Sequence, residues 1–185
     1  MSRHPNLLDR SKSALVIIDI QERIARVMPQ RETVLLNVAK LIHGCQILNV
    51  PVFYTEQYPQ GLGRTEAELL QLLPAMDALE KRRFSVLDET GLREAFRTKG
   101  VQQILLCGME THVCVLQSAL DFTQADFQVH VIIDAVCSRK LLDYEMALER
   151  LHRLGVTLSS TEAALFELTE TSASEEFKQI SRLIK

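Results

Sequence analysis

The sequence predicts an α/β protein with a three-layer, doubly wound architecture, in which a mainly parallel six-stranded sheet carries helices on both faces. Short apolar runs alternate along the chain with longer amphipathic runs. The first run, ALVIID at 14–19, is continuously apolar and rich in β-branched residues, which is typical of a strand covered on both faces. Alternating strands and helices favour a parallel sheet with right-handed crossover connections.

The elements of the first half follow from these patterns. Residues 31–49 place apolar side chains at helical spacing, and Pro51 opens a second apolar run. The segment EQYPQGLGR at 56–64 contains Gly, Pro and Tyr and is predicted to be a loop. The expected order is strand 14–19, helix 31–49, strand 51–56, loop 56–64, helix near 65–73 and strand near 78–82.

The second half continues the alternation. Gly100 and Gly155 mark the expected ends of two helices. Ser172 and Glu175 form a capping-box pattern ahead of apolar residues at helical spacing. The tail is therefore predicted to be a helix that docks on the domain or on a second subunit. The expected order is helix 88–100, strand 101–108, helix 111–124, strand 127–134, helix 141–153, strand 156–160 and helix 172–184.

Composition indicates one folded domain over residues 1–185. Of the 185 residues, 46% are hydrophobic and 24% are charged, which suits a globular chain with a sizeable core. The net charge of −3 gives no electrostatic reason to expect nucleic acid or a membrane surface as a partner. A small-molecule substrate is favoured instead, and the apolar tail indicates a homo-oligomer. The N-terminus lacks an apolar run of signal-peptide length, so a cytoplasmic location is expected.

The cysteines and histidines give no sign of a metal site. The four cysteines lie far apart without a CxxC pair, and the five histidines show no ligand-like spacing. This pattern fits free thiols in a reducing compartment better than disulfides or zinc. No metal and no cofactor are therefore expected.

Chemistry is expected at one edge of the sheet. In open parallel sheets, ligands bind beyond the carboxyl ends of the strands. This rule selects Asp19 at the end of strand one, Glu56 to Tyr58 after strand two, Lys81 near strand three, Gly108 to Cys114 after strand four, and Asp134 to Cys137 after strand five.

Cys114 is the candidate nucleophile. It lies about one turn into a predicted helix, where unpaired amides and the helix dipole favour an anion and would stabilise a thiolate. Amides of the same turn can also receive the oxyanion that forms when a carbonyl is attacked. The alternative is that Cys114 only packs in the core, as Cys45 and Cys107 are expected to do. Cys137, near the next strand end, is a rival nucleophile.

Two charged residues are candidates for the same site. Asp19 ends an apolar strand, where a carboxylate is costly without a partner, and it is either a general base or a cap for the QERI segment. Lys81 lies among three consecutive cations, so it is either on a solvated surface or turned inward.

His112 is expected to lie on a different face of the helix from Cys114, because side chains at positions i and i+2 of a helix point in different directions. Asp134 is expected to cap the turn into AVCSR.

These segments resemble the isochorismatase-like cysteine hydrolases. ALVIIDIQE is similar to that family's opening strand, KRRFS to its K-x-x-[FY]-S segment, GMETHVC to its G-x-x-T-x-x-C element, and DAVCSR to the end of its fifth strand. The match runs in order over a core of about 13–166. The EQYPQGLG loop is similar to that of the isochorismatase-domain-containing subgroup.

The resemblance implies a catalytic triad in which Asp19 is the base, Lys81 the electrostatic partner and Cys114 the nucleophile. It also implies a cis peptide between Met109 and Glu110, with the amides of Glu110 and Cys114 as the oxyanion hole. Thr111 is further expected to cap the helix. The candidate pocket residues are Gln21, Tyr58, Phe84 and Thr111.

The implied reaction is hydrolysis of a small amide, ureido or related C–N substrate through a covalent thioester. The family's metal-dependent nicotinamidases carry an Asp-x-His pattern and further His after strand two. The segment TEQYPQGLG has no His, which argues against a metal site and against nicotinamidase activity. The presence of Cys114 favours amide-like substrates over isochorismate itself. Two alternatives from other classes are a non-catalytic oligomeric or metabolite-binding scaffold and a redox-sensing thiol protein.

Overall fold

The computed structural model describes residues 3–185. Its centre is a six-stranded sheet in the order β3-β2-β1-β4-β5-β6, and every neighbouring pair is parallel. The strands are β1 Ser13–Ile18, β2 Val52–Gln57, β3 Leu79–Lys81, β4 Gln103–Met109, β5 Gln128–Cys137 and β6 Thr157–Ser159. The predicted fold class is confirmed.

Helices cover the sheet. The α-helices are α1 Glu22–Ala25, α2 Arg31–Ile47, α3 Pro59–Leu62, α4 Ala67–Leu70, α5 Leu92–Lys99, α6 Leu116–Gln124, α7 Leu141–Arg153, α8 Thr161–Thr169 and α9 Phe177–Ile184. A π-helical turn, Thr111–Val115, precedes α6. Helices α2, α8 and α9 pack together in one layer, while α6 contacts α7 in the other. No helix of residues 3–185 combines the length and apolar character needed to cross a membrane.

Several boundaries differ from the predicted ones. Strand β5 runs on to Cys137 because a register shift against β4 lets pairing resume at Gly108. Segment 56–64 is not a simple loop, since it contains the short helix α3. The helix expected near 65–73 shortens to Ala67–Leu70, and α8 was not predicted at all.

The C-terminal helix begins later than predicted. It starts at Phe177, whose amide donates to the Ser174 hydroxyl at 3.2 Å, so Ser172 and Glu175 do not form a capping box. Ile180 is fully buried, and α9 packs on α2 and α8 of the same chain. The apolar stripe of the tail therefore packs on its own domain, the first of the two predicted docking sites.

The junction of β1 and β4 positions the site. Ile18 pairs with Gly108 in the sheet. Gly108 has φ +122°, and a Cβ at this position would lie 2.0 Å from the carbonyl oxygen of Ile18. Glycine is therefore required here, both for the backbone conformation and for the close approach of the two strands.

Candidate active site

Asp19 follows β1 and lies in the centre of the sheet edge. Its backbone has φ +49°, a left-handed conformation that turns the chain sharply away from the strand. Its side chain is fully buried, yet both carboxylate oxygens have partners. Oδ1 accepts a hydrogen bond from the Thr55 hydroxyl at 2.7 Å, and Oδ2 accepts one from the Lys81 ammonium at 2.6 Å. These contacts offset the cost of burying the charge.

Lys81 ends β3, and its ammonium is surrounded by acceptors. Besides Asp19, Nζ donates to Oε1 of Gln57 at 2.7 Å. It also lies 3.2 Å and 3.3 Å from the carbonyl oxygens of Phe84 and Arg83. An ammonium has three protons, so these four acceptors use all of them. Lys81 is the inward-facing member of its cationic run, and its charge is fixed in place.

Cys114 lies in the π-helical turn after β4, and 6% of the residue is exposed. Its thiol lies close enough to Asp19 and Lys81 for both charges to act on it. Burial and the Asp19 carboxylate together raise the pKa of this thiol to about 12, against the opposing effect of the Lys81 charge. The thiol therefore keeps its proton at neutral pH. Burial outweighs the thiolate stabilisation that was predicted from the helix start.

The other three cysteines have no such surroundings. Cys45, Cys107 and Cys137 are fully buried. Burial raises the pKa of Cys45 and of Cys137 to about 12, and that of Cys107 well above its ordinary value. Of the cysteines in the described chain, Cys114 is the one that borders the cavity beside Asp19.

The turn between β4 and the π-helical turn shapes the other side of the site. The Met109–Glu110 peptide bond is cis. The Glu110 carboxylate accepts hydrogen bonds from the backbone amide of Arg139 at 3.0 Å and from its Nε at 3.1 Å. Among the described residues, the amides of Glu110 and Cys114 donate none of the backbone hydrogen bonds that join this turn to the rest of the chain.

A cavity of about 270 Å³ opens over Cys114. Its wall is mainly apolar and is formed by Ile24, Val27, Met28, Leu62, Phe84 and Val113. Its polar lining comes from Arg23, Gln57, Glu110 and Arg139. A larger groove of about 710 Å³ lies beside residues 49–53, at the other end of the strands, and holds none of the Asp19, Lys81 and Cys114 cluster.

Some of the predicted pocket residues line the cavity and others lie outside it. Phe84 lines the cavity and is half-exposed. Gln21 lies outside the lining. It is fully buried, and its side chain joins the backbone of Gln57 to that of Gly63, which holds the end of β2 against the following loop. Tyr58 is also outside, with its exposed ring 3.9 Å beneath the guanidinium of Arg82.

Thr111 does not cap the helix as predicted. Glu110 occupies the cap position, and no side chain caps the turn. Thr111 is the first residue inside the turn, so its hydroxyl does not reach the helix end. It is fully buried, and its Oγ1 has no hydrogen-bond partner among the described residues.

Two further predicted positions have structural roles. Asp134 does not cap the turn into AVCSR; its carboxylate accepts from the amide and hydroxyl of Thr161 at 2.9 Å, at the start of α8. His112 is partly exposed, with Nδ1 2.9 Å from the Ser138 hydroxyl. Sequence reasoning missed Thr55, which contacts Asp19, and it selected Gln57 only as part of segment 56–58, without its contact with Lys81. Within residues 3–185, no group of His, Cys, Asp or Glu side chains is arranged to hold a metal ion.

A parallel six-stranded sheet with a polar cluster and a cavity beyond its central strand ends defines an α/β protein of the class that binds small ligands at a sheet edge. Residues 13–163 match the isochorismatase domain, and the chain belongs to this family. The predicted resemblance is thereby confirmed. The chain has the isochorismatase-like hydrolase fold, which supports a hydrolase.

Two curated relatives and one solved structure illustrate the similarity. The secreted isochorismatase effector Isc1 of Phytophthora sojae is 38% identical, over 94% of this chain and 84% of the relative. Isochorismatase domain-containing protein 2 of Danio rerio is 36% identical, over 96% of this chain and 89% of the relative. The structure of MAR1 ribonuclease from Caenorhabditis elegans superposes with a TM-score of 0.90 at 33% identity, covering 96% and 91% of the two chains.

Proposed function

We propose that this single-domain chain is a cysteine-dependent hydrolase of small amides, ureido compounds or related C–N substrates, and that it acts through a covalent thioester. One observation carries the proposal. The Cys114 thiol lies beside a buried Asp19–Lys81 ion pair, close enough for both charges to act on its pKa, and borders a cavity open to a ligand. The carboxylate of Asp19, the ammonium of Lys81 and the thiol of Cys114 come from three separate segments of the chain and lie next to one another.

In the first half of the reaction, Asp19 acts as a general base. A base is required because the thiol, with a pKa of about 12, is protonated at rest. Asp19 takes the proton as Sγ of Cys114 attacks the carbonyl carbon of the substrate. The C–N bond then breaks, and the leaving nitrogen takes the proton from Asp19. The product amine departs and the acyl group remains on sulfur as a thioester.

The charge that develops during attack needs two kinds of support. Lys81 supplies a fixed positive charge beside the carboxylate and the sulfur, and its saturated hydrogen bonds suit this electrostatic role better than proton transfer. The amides of Glu110 and Cys114 are available to receive the oxyanion of the tetrahedral intermediate. Preorganised donors of this kind contribute strongly to acyl transfer.

In the second half, water replaces the departed amine. Asp19 accepts a proton from the water molecule as its oxygen attacks the thioester carbonyl. The C–S bond breaks, the sulfur recovers the proton from Asp19, and the acid product leaves. Each half-reaction uses the same base and the same oxyanion donors, so the resting state is restored.

The cavity limits the substrate. A volume of about 270 Å³ and a wall containing Phe84 and Val113 favour a compact acyl group with apolar carbon atoms. Arg23 and Arg139 add positive charge to the lining. The Caenorhabditis elegans neighbour carries the name ribonuclease. The small apolar cavity and the net charge of −3 favour a small amide over RNA for this chain.

The proposal includes self-association. On the first two turns of α7, Leu141, Leu142 and Met146 are 61%, 67% and 50% exposed. Adjacent exposed apolar side chains of this size are commonly covered by another protein surface. Light scattering across a concentration series tests this part, and a monomer at all concentrations would contradict it.

The test of activity is a screen of acetamide, isobutyramide, benzamide and N-carbamoyl compounds for ammonia release, with an RNA oligonucleotide as a further substrate. We expect release from at least one amide or carbamoyl compound, loss of release in Cys114→Ala, and an acyl adduct on the peptide containing Cys114. Cys137→Ala, which changes the rival cysteine, should retain activity. Hydrolysis that survives in Cys114→Ala, of an amide or of RNA, would overturn the proposal.

A further inference from the structure

Thr55 lies on β2 directly beside the base. The residue is 1% exposed, and its hydroxyl donates to Oδ1 of Asp19 at 2.7 Å. Residues 52–56 of β2 are buried, so a hydroxyl at this position needs a partner. That partner is the carboxylate itself. The contact depends on the register of β2 with β1 and is not a local feature of the sequence.

The two oxygens of Asp19 are held by different donors. Lys81 holds Oδ2, and Lys81 is itself fixed by Gln57. With Thr55 on Oδ1, the carboxyl group is restrained against rotation about its Cβ–Cγ bond. With a donor on only one oxygen, the carboxyl group could still rotate about this bond. Each oxygen retains a lone pair, so the carboxylate can still accept the thiol hydrogen of Cys114.

A hydroxyl that donates to a carboxylate also favours the charged form of that group. A general base must be ionised to accept a proton, and it must face the proton that it accepts. The Thr55 hydroxyl supports both requirements through one hydrogen bond.

We propose that Thr55 is a positioning residue, which aims the Asp19 carboxylate at the Cys114 thiol and keeps it ready to accept the thiol proton. This inference rests on the proposed function. Under this inference, the ability of Asp19 to act as a base depends in part on a residue of β2. Thr55 does not border the cavity, so its effect reaches the substrate only through Asp19.

The experiment measures acylation of Cys114 by p-nitrophenyl acetate, a small activated acyl donor whose leaving group needs no proton. The rate constant of the p-nitrophenolate burst and the ester concentration at half-saturation are determined for the wild type and for each variant. Thr55→Val keeps the shape of the side chain and removes the hydroxyl, and Thr55→Ser keeps the hydroxyl. Thr55→Ala removes the hydroxyl without β-branching and provides a second variant should valine disturb the fold.

We expect Thr55→Val and Thr55→Ala to lower the acylation rate constant about 10- to 100-fold, the range expected for losing a hydrogen bond to a charged group. The concentration at half-saturation should stay within about 2-fold. Thr55→Ser should restore the rate constant, because it restores the hydroxyl that holds Oδ1 of Asp19.

Thr65 provides a matched control. It is buried, and its hydroxyl donates to the Glu56 carboxylate at 2.9 Å, away from Asp19. Thr65→Val removes a comparable hydroxyl–carboxylate bond and should leave the acylation rate constant unchanged. If Thr55→Val and Thr55→Ser have the same rate constant, or Thr65→Val lowers it equally, the inference fails while the proposed function stands. A wild-type burst that persists in Cys114→Ala would overturn both.

Discussion

The ammonium of Lys81 and the carboxylate of Asp19 form an ion pair of 2.6 Å in which neither side chain is exposed to solvent. Removing two charges from water costs several kcal/mol per ion unless additional hydrogen bonds complete their surroundings. Here Thr55 completes the carboxylate and Gln57 completes the ammonium. The pair is therefore part of the folded core as well as of the candidate active site.

Lys81→Met should reduce the free energy of unfolding by about 3–5 kcal/mol, because it leaves the Asp19 carboxylate buried without its cation. Urea denaturation measures this change. Lys12→Met is the control, since Lys12 is half-exposed and 3.7 Å from Asp9, and its loss should cost under about 1 kcal/mol. The double variant Asp19→Asn/Lys81→Met should recover part of the loss. A double variant no more stable than Lys81→Met would contradict this account.

Thiol alkylation should reveal the proton on Cys114. With a pKa of about 12, the thiolate fraction rises about 10-fold per pH unit below that value, so alkylation by iodoacetamide should follow the same slope between pH 7 and pH 9. Asp19 raises the thiol pKa, so Asp19→Asn should speed alkylation while it abolishes acyl transfer. Peptide mass spectrometry assigns the modified cysteine. Slower alkylation in Asp19→Asn, or a rate independent of pH, would contradict the prediction.

Gly108→Ala should prevent stable folding or cost more than about 3 kcal/mol. The added Cβ would lie 2.0 Å from the Ile18 carbonyl oxygen, and φ is +122°. Gly155→Ala is the control, because φ there is +85° with open space around it, and the cost should be about 1–2 kcal/mol. Thermal and urea unfolding compare the two. Equal losses would show that the close contact with β1 is unimportant.

His130 should make the protein less stable in mild acid. It is fully buried in β5, neither ring nitrogen has a hydrogen-bond partner among the described residues, and burial lowers its pKa against an opposing effect of Glu167. Below about pH 6.5 the imidazole of the unfolded chain binds a proton that the buried imidazole of the folded chain does not bind as readily. The free energy of unfolding therefore decreases as the pH is lowered. At higher pH the imidazole is neutral in both states and the effect disappears.

The measurement compares urea unfolding of the wild type and His130→Leu at pH 7.5 and pH 5.5. The leucine variant should lose less stability between the two pH values. His152→Gln changes an exposed histidine and should keep the pH dependence of the wild type. If His130→Leu and the wild type lose the same stability, the burial of His130 is not the cause.

Fold prediction succeeded where hydrophobic patterns are long and failed where they are short. Strands β1 and β4 are continuously buried, so their apolar runs identify them directly. Helix α8 was missed although Ser160 caps it by accepting from the Ala163 amide, a signal present in the SSTEAA segment. The start of α9 was placed too early because a capping box in sequence does not ensure that the intervening residues are helical.

The candidate site was predictable in part. Asp19 and Cys114 come after strands and Lys81 lies at the end of one, so the rule for strand ends selected all three for one edge of the sheet before the fold was known. Thr55 lies inside β2 and could not be found in this way, and the contact of Gln57 with Lys81 depends on the register of β2 against its neighbours. The protonation of Cys114 also depends on burial, which helix position alone does not reveal.

Strands β1 and β4 are paired from Ser13–Gln103 to Ile18–Gly108 in the middle of the sheet, and Asp19 and the turn that holds Cys114 follow directly from them. Central pairing of this kind opens to deuterium exchange only when the whole domain unfolds. Fraying at the edge strands β3 or β6 does not separate Asp19 from Cys114, because neither residue lies on those strands. On heating, the alignment of carboxylate and thiol should therefore persist until the cooperative transition and disappear with it.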